Sequence, residues 1–76
     1  MADNDPVLPL KEWRVSRYLT YRELAKRAGV STETLQRGER GGKLNDITRR
    51  KIADALGVRV SQIAEFAHQD RPHDAS

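Results

Sequence analysis

The chain has no cysteine among its 76 residues, so no disulfide can support its core and no thiolate can bind metal or attack a substrate. Its two histidines, His68 and His73, lie near the C-terminus, leaving the body without a Cys/His zinc set or a histidine-based nucleophile system. No metal site, no cofactor and no catalysis are therefore expected. Aromatic residues number four, and no apolar run approaches the ~20 residues that span a bilayer, so no membrane segment is expected. The start, MADNDP, is acidic, unlike the basic opening of a signal peptide. These absences lead to the expectation of a soluble cytoplasmic protein with one small domain and a compact, local core.

Positive charge is what the sequence has in excess, and it is unevenly placed. The net charge is +3, but residues 10–66 hold 13 Lys/Arg against 7 Asp/Glu while both ends are acidic. A basic body of this size is the electrostatic footprint of a polyanion-binding module. A solvated helical surface has the same composition, so the positions of the charges must decide.

No stretch alternates with period two for long enough to form a sheet, and the apolar spacing is helical throughout, which predicts an all-α compact bundle of about five short helices. Residues 1–8 show little periodicity, residues 67–76 are polar, and both read as flexible tails around a domain at 9–66. A first helix over roughly 9–18 opens after Pro9 and turns Leu10, Trp13 and part of Val15 inward. A second starts at the Thr20/Glu23 capping box and continues through Leu24, Ala25 and Ala28 to a left-handed stop at Gly29. Ser31 caps a third, over 31–38, which runs into the glycine-rich RGERGGK stretch. A fourth helix fits 46–56, with Asp46 near its start, Ile52, Ala55 and Leu56 inward, the run Arg49, Arg50, Lys51 on a solvated face, and Gly57 closing it. The last is short, from a Ser61 cap through Ile63, Ala64 and Phe66.

The window 20–40, TYRELAKRAGVSTETLQRGER, holds two short helices joined by a tight glycine turn, which is a helix-turn-helix arrangement. Leu24, Ala28, Val30 and Leu35 supply its shared core, Ala25 is small where the helices approach, and Gly29 takes the positive φ of the turn.

With LTYRELAKRAGVS, the following ER-G and KIADALGV in place, residues 10–66 resemble the helix-turn-helix DNA-binding domain of the lambdoid phage repressor and Cro-type (XRE-like) family. The resemblance implies that the third helix enters the major groove of double-stranded DNA. Thr32, Glu33, Gln36 and Arg37 are then the candidates for base contact: Arg37 for guanine O6 and N7, Gln36 for adenine, Thr32 for a thymine methyl or a phosphate, and Glu33 for a cytosine amino group or only for the helix dipole. Thr20, Tyr21, Arg22, Arg40 and Lys43 are the candidates for phosphate contact. Tyr21 stands where the family has a glutamine; its phenol either donates to phosphate or packs its ring on the surface. The family also pairs an arginine of the first helix with a glutamate ending the third, here Arg14 and Glu39.

Three positions depart from the family pattern. Gly38 replaces a bulky apolar residue, so either Trp13 or Tyr18 fills a void or the third helix ends early. Tyr18 replaces the glycine between the first two helices. Arg49 replaces a leucine, which throws the packing of the fourth helix onto Ile47, Ile52 and Leu56. The expected function is that of a sequence-specific, repressor-like transcriptional regulator of bacterial or phage origin, binding as a homodimer to a palindromic operator. Val60, Ile63 and Phe66 are either dimer contacts or core. The alternative is a protein-interaction module, an antitoxin or anti-regulator, that uses the same fold to bind a regulatory partner.

Overall fold

In the computed structural model, which describes residues 6–69, the chain folds into five α-helices: α1 Leu10–Ser16, α2 Tyr21–Ala28, α3 Thr32–Glu39, α4 Asp46–Leu56 and α5 Ala64–Gln69. A 3₁₀ turn, Val60–Gln62, precedes α5. Helix ends follow local chemistry. The hydroxyl of Thr20 accepts the Glu23 amide at 3.0 Å, and the Glu23 carboxylate accepts the Thr20 amide at 2.9 Å, closing the capping box of α2. Gly29, at φ +76°, stops that helix in a conformation a side chain would strain. Ser31 accepts from the Thr34 amide at 3.1 Å to start α3, and Asn45 rather than Asp46 caps α4, accepting from Thr48 at 2.8 Å.

α2 packs against both α3 and α4, while α1 and α5 close on α3. Leu10, Leu24, Leu35, Ile52, Ile63 and Phe66 are fully enclosed between them. Burying an aliphatic or aromatic side chain contributes about 1.5–3 kcal/mol, so these six residues from five segments dominate the cohesion of the domain. The buried Trp13 indole donates to the Gln62 carbonyl at 2.7 Å, fastening α1 to the 3₁₀ turn.

Several expectations are corrected. α3 runs unbroken through Gly38 to Glu39, and the atoms nearest the glycine belong to neither Trp13 nor Tyr18. A Cβ there would stand 3.0 Å from Leu44, 3.4 Å from Phe66 and 3.5 Å from Leu10, so the core side chains themselves occupy the room that a larger residue takes. Tyr18 is 93% exposed and holds φ +58°, the left-handed geometry of the turn residue it replaces. On α4 the inward and outward sets differ from expectation. Arg49 is buried, donating to the Leu44 carbonyl and to Asp46, whereas Ile47 is 68% exposed. Ser61 makes no cap bond among the described residues; the Gln62 side chain accepts the Arg59 amide, at 2.8 Å. Leu8, assigned to the N-terminal tail, is tied to the domain by a parallel bridge to Ile63: its amide donates to Gln62 at 3.0 Å and its carbonyl accepts from Ala64 at 2.8 Å. At the other end α5 extends to Gln69, past the expected boundary at 66. The rest of the two expected tails, 1–5 and 70–76, lies outside the described residues.

Candidate nucleic-acid interface

α3 has two chemically different sides. Leu35 and Gly38 point into the core, and the Glu39 carboxylate, at the same end of the helix, is bound on several sides. Arg14 Nε donates to Glu39 Oε2 at 3.0 Å, the Tyr21 hydroxyl donates to Glu39 Oε1 at 2.8 Å, and the Arg14 guanidinium stacks over the Tyr21 ring at 4.3 Å. Arg14 also donates to the Leu19 carbonyl at 2.9 Å. One acidic side chain therefore locks α1, α2 and α3 together. With 12% and 8% of their side chains exposed, Arg14 and Glu39 form a largely desolvated pair. The carboxylate that accepts the Tyr21 proton raises the phenol above its usual pKa near 10, which keeps that proton on the oxygen.

The opposite side of α3 is open. Glu33 and Arg37 are exposed, Thr32 and Gln36 half-buried, and none of the four side chains makes a hydrogen bond or ion pair among the described residues. Glu33, Gln36 and Arg37 line a shallow depression together with Arg40, Gly41 and Gly42 of the following loop. The structure thus brings the four candidate base-reading residues onto one accessible face at the N-terminal two turns of α3. Glu33 makes no ion pair with Arg37 one turn later, so among the described residues no group takes up the five N–H donors of the guanidinium.

Around this face sit the other candidates. Thr20 uses its oxygen as a cap acceptor but retains its hydroxyl proton for an outside acceptor, and Arg22, Arg40 and Lys43 are exposed. Tyr21 differs from them because its hydroxyl is already directed at Glu39. Sequence reasoning overlooked Gly42: its amide donates to the Arg37 carbonyl at 2.8 Å, and the stem of Arg37 lies directly over its α-carbon. The only advance signal was the run of glycines after the helix.

A sequence model of the helix-turn-helix family matches residues 10–63, from the first residue of α1 to Ile63, just after the 3₁₀ turn. The chain belongs to that family. Neither a curated protein nor a solved structure matches it. The helix-turn-helix proper is α2, the Gly29 turn and α3, in agreement with the resemblance to the lambdoid repressor and Cro type. As a helix-turn-helix domain it is of the class that binds DNA and regulates transcription, and no helix among its described residues is long and apolar enough to cross a membrane. Arg17 donates to the Leu56 carbonyl at 3.0 Å and faces the Trp13 ring, so this cation belongs to the scaffold.

Proposed function

We propose that the protein is a sequence-specific regulator that places α3 in the major groove of double-stranded DNA and acts in a repressor-like way by occupying its site. The observation carrying this reading is the open face of α3, where Thr32, Glu33, Gln36 and Arg37 make no ion pair or tertiary hydrogen bond among the described residues, above a core that holds the helix. Arg37 suits guanine O6 and N7 and Gln36 suits adenine, each good pair giving about 1–3 kcal/mol of discrimination. Thr20, Arg22, Arg40 and Lys43 anchor the phosphates on either side. Tyr21 is left out of that set and braces Glu39 instead.

One reading helix covers few base pairs, so useful selectivity calls for two copies on half-sites about 34 Å apart. Ile63 and Phe66 are fully buried and offer such a dimer no surface; half-buried Val60 does.

Selection of preferred sites from random duplex DNA, followed by titration at several salt concentrations, tests the reading. Enrichment of a palindrome is expected, with a log–log salt slope that falls by about 0.9 for each of Arg22, Arg40 and Lys43 replaced by alanine. Binding that is absent at low salt would sink the DNA reading and leave the fold to serve a protein partner.

A further inference from the structure

The α3–α4 loop contains a feature that DNA binding by itself does not require. After α3 the chain turns through Gly41, at φ +86°, and delivers Gly42 beneath Arg37. The Gly42 amide donates to the Arg37 carbonyl at 2.8 Å. A Cβ built on Gly42 would overlap Arg37 Cγ, come within 3.3 Å of Cδ and lie 3.0 Å from the carbonyl oxygen. Unlike Gly41, Gly42 has no positive φ that would by itself favour glycine. What crowds a side chain there most is the stem of Arg37 lying across it, with the Arg37 carbonyl oxygen a weaker second contact.

Resting on the major-groove reading of α3, we propose that Gly42 is a positioning residue for base recognition: its bare α-carbon seats the aliphatic stem of Arg37 and so fixes the direction in which the guanidinium leaves the helix. The physical reason is rotamer freedom. An exposed arginine otherwise samples many side-chain conformations, and a bidentate contact with guanine needs the planar fork in one orientation. A stem laid on a glycine has fewer conformations to lose on binding, and geometry held before contact is what converts a cation into a selective reader. Cγ is close to the backbone and cannot move aside as the end of a flexible chain can. A methyl group at position 42 must therefore drive Arg37 to another χ1 rotamer.

The experiment is a double-variant cycle on the full chain, with site selection from random duplex DNA, affinity for the selected duplex and thermal unfolding read for wild type, Gly42→Ala, Arg37→Ala and the pair. Gly42→Ala is expected to flatten preference at the same base position as Arg37→Ala and to weaken binding to the selected duplex roughly tenfold. In the Arg37→Ala background the same change should alter affinity less than about twofold, since the stem it displaces is gone. The salt slope should stay that of wild type with Gly42→Ala, because the charge remains. If wild type selects a site and Gly42→Ala retains the full preference, the inference is overturned while the major-groove reading stands. Wild type that enriches no sequence overturns both. Should Gly42→Ala fail to fold, a folded double variant supports the overlap with Arg37, and a double variant that also fails shows that the glycine serves the loop backbone and overturns the proposal.

Discussion

α3 and α4 carry arginines that are alike in sequence and opposite in use. Arg37 leaves α3 into solvent with no acidic partner among the described residues, whereas Arg49 of α4 is 5% exposed and directed at the Leu44 carbonyl and Asp46, beneath the loop that joins the two helices. The same division separates Arg14 and Arg17, which bind Glu39 and the Leu56 carbonyl, from Arg22 and Arg40, which are exposed. A count of basic residues therefore overstates the DNA footprint. The helix face on which a guanidinium sits, and the acceptors within its reach, decide whether it serves the scaffold or the ligand.

The scaffold side of this contrast is the more sensitive to mutation. Glu39→Ala leaves Arg14 largely buried without its counter-charge and the Tyr21 hydroxyl without its acceptor, and should cost about 3–5 kcal/mol in urea unfolding. Replacing both ends, Arg14→Met with Glu39→Leu, should cost less than Glu39→Ala alone. A double variant as unstable as the single one would show that the pair contributes net attraction and is not merely satisfied in place.

Arg49→Ala comes next, at about 2–3 kcal/mol, because it removes the buried guanidinium's bonds to Leu44 and Asp46 and opens the core margin, while Arg50→Ala next door should change stability by no more than about 0.5 kcal/mol. Equal effects would erase the distinction between the two faces of α4. This pair also marks where the sequence was legible. In the helix-turn-helix each boundary is set by a local group, the Thr20/Glu23 box, the Gly29 turn or the Ser31 cap, and neighbouring residues suffice to read such signals. On α4, residue type and position disagree. Arg49 stands three, four and seven residues before Ile52, Ala53 and Leu56, the spacing of one buried stripe, and Ile47 stands in the same relation to Arg50, Lys51 and Asp54 on the outer one. Polarity argued one way and register the other, and register prevailed because the Leu44 carbonyl gives a buried guanidinium an acceptor that belongs to another segment. Gly38 was opaque for a related reason: Leu44 reaches it from the following loop, and Phe66 and Leu10 from the distant α5 and α1. Within the candidate site the open face of α3 could be read from spacing, while the engagement of Tyr21 by Glu39 required the tertiary structure.

The ligand side should respond in binding and not in folding. Arg37→Ala should remove about 1–3 kcal/mol of discrimination at one base position, measured as the ratio of affinities for the selected duplex and a single-substitution duplex, with unfolding unchanged within about 0.5 kcal/mol. Destabilisation beyond that would move Arg37 to the scaffold side. Tyr18 tests the boundary between the helices instead. A bulky residue at φ +58° carries roughly 1–2 kcal/mol of backbone strain, partly offset because tyrosine restricts the unfolded chain more than glycine does. Tyr18→Gly should accordingly stabilise the domain by about 0.5–1 kcal/mol and raise its melting temperature by a few degrees.

The smallest effect lies in the Tyr21–Glu39 bond, and it is a matter of pH. Glu39 accepts the phenolic proton at 2.8 Å and raises the pKa of Tyr21 above the value near 10 that the unfolded chain retains. The folded state therefore holds this proton more tightly than the unfolded one, and the bond's contribution is present in full below pH 10. It is lost as pH climbs through the higher folded-state value, where a phenolate would face a carboxylate across the same short distance. Tyr21→Phe removes the titration and keeps the ring under Arg14. The stability gap between wild type and Tyr21→Phe should stay constant from neutral pH to about pH 10 and narrow above it. A gap that is flat through the alkaline range would mean that the hydroxyl does not donate to Glu39 in solution, and would return Tyr21 to the residues available for phosphate.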